Sequence, residues 1–123
     1  HSDRLVIADG NFPVMSMGKN AQIIRMDGHG VPEILDAILR VFPLDTYIEK
    51  PVNLMEVMPG DNVQTPIWDV YKKTVEKYDE RGKNAIGEIE RFKFYEETKT
   101  AYAVIATSEK ALYANIMLQK GVV

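Results

Sequence analysis

The sequence predicts one α/β domain, a largely parallel sheet of about six strands covered by helices on both faces, from two observations. Short β-branched apolar runs alternate with segments of helical period along the whole chain. The 123 residues are 46% apolar, enough for a core, and show no repeat, linker or low-complexity stretch.

Leu5 to Ala8 reads as a buried first strand, delivered into the strand-ending cluster Asp9-Gly10-Asn11. Asp9 to Asn20 is expected to be a long loop, and Gln22 to Arg25 a short strand closed by Asp27-Gly28-His29-Gly30. Pro32 suits the first turn of a helix, where a missing N–H costs nothing. Ile34, Leu35, Ile38, Leu39 and Phe42 then repeat at helical spacing until Pro43. Val52 to Val57 is the third strand, ended by Pro59-Gly60-Asp61. Thr65 and Pro66 open a second helix, with Ile67, Val70, Tyr71, Val75 and Tyr78 as its buried stripe and Gly82 as its end. Ala85 to Glu90 is a strand and Phe92 to Thr98 a short helix. Ala101 to Ala106 and Asn115 to Gln119 are the last two strands.

Composition excludes several functions. Net charge is −3 with acids and bases interspersed, so there is no electrostatic footprint for nucleic acid or an anionic membrane. Without cysteine there is neither a disulfide frame nor a thiolate metal site. No apolar run approaches the roughly 20 residues of a membrane span. A cytoplasmic domain is expected. The chain opens on His1, almost on its first strand, and a further segment ahead of it is expected. The six methionines read as fillers of the core or of a subunit contact.

Asp9 stands at the carboxyl end of a buried strand, where open α/β sheets place ligands, with His1 just ahead of that strand. An imidazole and a carboxylate suffice for proton transfer on a small polar substrate. Each also has a plainer reading: a turn acid capping nearby N–H groups, and a surface residue at a frayed terminus. Gly28-His29-Gly30 between a strand and a helix suggests a dinucleotide turn. However, Glu33 takes the third glycine position and Pro32 removes an N–H that a phosphate would use. His1, Asp3, Asp27 and His29 could supply hard-metal ligands, but their spacing fixes none together, and Asp27 and His29 read better as turn residues. Arg91, after a strand, can fork onto two ligand oxygens or pair with Glu90 or another surface acid. Tyr113-Ala114-Asn115 opens the last strand and could line a pocket or serve as turn chemistry.

Taken together, His1-Ser-Asp…Ala8-Asp9-Gly-Asn-Phe-Pro13, Ile24-Arg25-Met-Asp27-Gly28, Pro43-Leu-Asp-Thr-Tyr47, Glu90-Arg91-Phe-Lys-Phe-Tyr-Glu96 and Leu112-Tyr113-Ala114-Asn115-Ile116 with Lys120-Gly121-Val122 resemble one family. It is the family of fucose mutarotases and D-ribose pyranases, and the resemblance runs from first residue to last. It implies an α/β/α sandwich that interconverts the cyclic forms of a free monosaccharide without metal or cofactor. It also implies homo-oligomers, commonly two stacked rings of five, with sites at subunit contacts. The family's proton-donor histidine falls on His1. Its sugar-binding aspartate falls on Asp9, its arginine on Arg91, and its Tyr-x-Asn segment on Tyr113, Ala114 and Asn115. The helical lead-in that family members carry before the histidine is missing here. Ala114 follows the ribose pyranases where fucose mutarotases usually have glycine, while the arginine and Pro-Leu-Asp-Thr-Tyr blocks lean to L-fucose. The alternatives are a pyranase acting on ribose, a non-enzymatic sugar-binding module, and a metal-dependent hydrolase or isomerase using His1, Asp3 and His29. Arg25 and His29 are left without a role.

Overall fold

The computed structural model describes residues 4–17 and 21–121. His1 and Asp3 lie outside the described residues. Six strands form one sheet: β1 (Arg4–Ala8), β2 (Gln22–Met26), β3 (Val52–Met55), β4 (Ile86–Ile89), β5 (Ala103–Thr107) and β6 (Ile116–Gln119). Their order is β2-β5-β1-β6-β3-β4. All pairs are parallel except those of β6, which runs antiparallel to both β1 and β3. Five strands therefore point one way, and their carboxyl ends share one edge with the start of β6.

The pleat sends alternate residues to opposite faces. Leu5, Ile7, Leu54, Ile105, Ile116 and Leu118 pack beneath helices α2 (Val31–Val41) and α3 (Pro66–Tyr78). Val6, Ala8, Met55, Val104 and Met117 pack on the other face with Phe12 and with Phe94 of α4 (Arg91–Thr98). The short helix α1 (Val14–Met17) adds Val14 to that second layer. The molecule is the three-layer sandwich that the alternating pattern predicts. No helix among the described residues is long and apolar enough to cross a membrane.

The differences from the sequence reading are local. The expected loop after β1 contains α1. Trp68, not Val70, joins Ile67, Tyr71 and Val75 on the buried side of α3, and Val70 is 45% exposed. That helix ends at Tyr78, and Gly82, at φ +54°, opens a separate 3₁₀ turn over Gly82–Ala85. Arg91 is the first residue of α4, because the Glu90 carboxylate accepts the Lys93 N–H at 3.1 Å and caps the helix one residue earlier than expected.

Candidate functional site

The connections change direction around β1: the chain leaves β1 for β2 on one side of it and crosses from β2 to β3 on the other. A crevice forms at such a switch point. Here it is a cavity of about 420 Å³, whose walls include Asp9, Arg91, Tyr113 and Asn115. Four of the six sequence-marked residues are thus brought together from β1, α4 and the approach to β6.

The strand register explains the first contact. Ile7 pairs with Ile116 across the antiparallel β1–β6 ladder, so Asn115 arrives beside the end of β1. There the Asn115 Oδ1 accepts the Asp9 N–H at 2.7 Å, fixing the amide rotamer. The Asp9 carboxylate accepts the Asn11 N–H at 3.0 Å. Burial is the main influence on this carboxyl and pushes its pKa above the ordinary value. Backbone N–H groups of Asn11, Phe12 and Ala114 pull it back, while the Glu109 charge adds to the rise.

Arg91 projects from the first turn of α4. Its Nε is buried and has no hydrogen-bond partner among the described residues. Glu90, the neighbour it could have paired with, is committed to the helix cap. A guanidinium nitrogen left buried and unpaired costs energy unless a ligand satisfies it.

Tyr113 is held at φ +54°, a left-handed conformation uncommon for a residue with a side chain. Two donors one helical turn apart on α3 secure it. Trp68 Nε1–H donates to the Tyr113 carbonyl at 2.8 Å, and the Tyr71 hydroxyl donates to the Ala114 carbonyl at 2.6 Å. Burial raises the Tyr71 pKa far above its ordinary value, so it stays a donor. Ala114 is completely buried and does not line the cavity. Its part in the site is its backbone. The Tyr113 hydroxyl accepts the Met58 N–H at 3.2 Å and donates to the Asp61 carboxylate.

The remaining sequence candidates lie elsewhere. Asp27 pairs with Arg25, and His29 Nδ1 lies 2.9 Å from Glu33 at the start of α2. The N–H groups of that helix start are already taken, Val31 by Glu109 at 3.0 Å and Gly30 by Glu33 at 3.3 Å. Two carboxylates occupy the place where a dinucleotide phosphate would have to sit. Among the described residues no group of three His, Asp or Glu side chains converges as a metal site requires.

Sequence reasoning passed over Met55, Asp61 and Tyr95, which also line the cavity. Asp61 had a usable signal, since it follows a strand in a Pro-Gly-Asp turn just as Asp9 follows β1. Tyr95, packed edge-on against Phe12 at 5.6 Å between ring centroids, was marked only by its place in the block from Glu90 to Glu96.

Comparison with known proteins follows the same line. Residues 1–123 match the model of the RbsD / FucU transport protein family. The chain is 45% identical over 126 residues to the fucose mutarotase of Homo sapiens, covering 99% of this chain and 80% of that protein. Among solved structures it resembles FucU from Bifidobacterium longum, with a TM-score of 0.96 at 66% identity, covering 100% of this chain and 87% of that one. It also resembles the fucose mutarotase from Streptococcus pneumoniae in complex with L-fucose, with a TM-score of 0.91 at 42% identity, covering 100% of this chain and 85% of that one.

Proposed function

The chain belongs to the RbsD / FucU transport protein family, and we propose that it is a fucose mutarotase, exchanging the α and β anomers of free L-fucose. One observation carries this reading. A cavity lined by Asp9, Asn115, Tyr113 and Arg91, whose buried Nε has no partner among the described residues, lies in a chain whose backbone superimposes on that of an L-fucose complex.

The chemistry is balanced by proton transfers. Ring opening removes a proton from the anomeric hydroxyl, breaks the bond between the anomeric carbon and the ring oxygen, and delivers a proton to that oxygen. Rotation about the adjacent carbon–carbon bond and reclosure reverse both transfers on the other face. No electron acceptor or attached nucleophile is needed. We assign the proton donor to His1, because an imidazole can both give and take a proton at neutral pH, which suits a reversible reaction. Asp9 accepts sugar hydroxyls, and Arg91 forks onto adjacent oxygens, which satisfies its buried Nε. Asn115 orients the sugar through its amide N–H groups, and the Tyr113 ring offers an apolar wall to the methyl-bearing face. Cytoplasmic location and assembly into a homo-oligomer with sites at subunit contacts complete the proposal. The apolar side chains of Phe92 and Leu112, exposed near the cavity, support such an assembly.

Proton NMR saturation transfer between the two anomeric signals of L-fucose tests this reading, with D-ribose alongside. Faster exchange for L-fucose at catalytic protein concentration is expected. Faster exchange for ribose alone would make the protein a pyranase. Ligand-dependent thermal stabilisation without exchange would leave a sugar-binding module.

A further inference from the structure

The hydrogen bonds around Tyr113 assign a substrate contact to a residue outside the family blocks. The phenol oxygen makes two bonds, accepting the Met58 N–H and donating its one proton to the Asp61 Oδ2. Its donor is spent inside the protein. Asp61 Oδ1, by contrast, has no hydrogen-bond partner among the described residues, and Asp61 lines the cavity. The residue is fixed by its own turn, its N–H donating to the Met58 carbonyl at 3.0 Å, and by Tyr113 across the loop. A carboxylate held on both sides, in a residue that lines the cavity and with one oxygen left unbonded among the described residues, is a preorganised acceptor for a hydroxyl.

We propose that Asp61 is a specificity-determining residue, which accepts a hydrogen bond from one sugar hydroxyl. The assignment rests on the mutarotase reading. Two carboxylates then read the sugar, Asp9 from the end of β1 and Asp61 from the loop after β3. Tyr113 supplies a ring to the cavity wall and the proton that locks Asp61.

The test is Asp61→Ala, measured by saturation transfer on L-fucose and on its 2-, 3- and 4-deoxy analogues, with Asp61→Asn as the variant that keeps an acceptor for Tyr113. KM for L-fucose is expected to rise about 10-fold, as for the loss of one charge-assisted hydrogen bond, with kcat within about twofold. One deoxy sugar is expected to lose a similar factor on the wild-type protein and nothing further on Asp61→Ala, because the partner hydroxyl is already gone. An unchanged KM for L-fucose overturns the proposal. So does an equal loss for every sugar, which would make Asp61 a support for Tyr113 only. If the wild-type protein exchanges no sugar, the mutarotase reading fails by itself. Kd for L-fucose on wild type and Asp61→Ala then decides the contact, with equal values rejecting it.

Discussion

The Asp9 carboxyl is buried at 8% exposure, which favours its neutral form, yet backbone N–H groups favour its charge. Burial prevails, so its pKa in the folded protein stands above the unfolded value. The folded state then binds more protons than the unfolded state between those two values, and stability falls as pH rises through that window. Asp9→Asn removes this dependence while leaving an oxygen for the Asn11 N–H. It is expected to melt no lower than wild type at pH 7 and to show a flatter pH dependence of melting temperature between pH 4 and pH 7. Its anomer exchange should nevertheless fall by about 10-fold or more, through loss of a charged acceptor. His1→Ala should remove roughly 10²–10⁴-fold, the usual share of general acid–base catalysis, with circular dichroism unchanged. A wild-type rate in that variant rejects the assignment.

At the scale of elements, α3 holds the site in place. Its Trp68 and Tyr71, three residues apart on one face, satisfy consecutive carbonyls and hold the left-handed Tyr113. Tyr71→Phe leaves the Ala114 carbonyl buried without its donor. It should cost about 1–3 kcal/mol in chemical denaturation, with unchanged denaturant slope. Trp68→Phe keeps an aromatic side chain, smaller than the indole, and loses the donor, so it should loosen Tyr113 and raise KM for L-fucose more than it lowers kcat.

Most elements were legible in the sequence because their punctuation is local: Pro32 and Pro43 bracket α2, Pro66 opens α3, and alternating β-branched runs mark the strands. What was hidden depends on partners far along the chain. Nothing at Val70 says that Trp68 would be buried in its stead, because the Trp68 N–H needs a carbonyl 45 residues away. Likewise Arg91 reads as the end of a strand until Glu90 turns back to cap α4. Asp9, Arg91, Tyr113 and Asn115 could be marked as candidates, but only β6 running antiparallel between β1 and β3 brings them to one cavity.

The whole molecule separates scaffold from chemistry. Two apolar layers clamp the sheet, and the polar groups with unfilled bonding capacity collect at the edge where five strands end. The surface beside that edge is apolar: Phe92 is 64% exposed and Leu112 55%. On the homo-oligomer proposed above, Phe92→Glu is expected to lower the assembly mass in sedimentation and to reduce exchange together with it. An unchanged mass would remove Phe92 from the proposed subunit contact.

If this cavity performs the anomer exchange, Arg91→Ala shows it most directly. Saturation transfer on L-fucose should show exchange reduced by about 10²-fold, the loss expected when a bidentate charged contact to substrate is removed. The melting temperature should stay within about 2 °C, because Arg91 makes no ion pair among the described residues to lose. Wild-type exchange in a folded Arg91→Ala protein would contradict the account and place the chemistry elsewhere on the molecule.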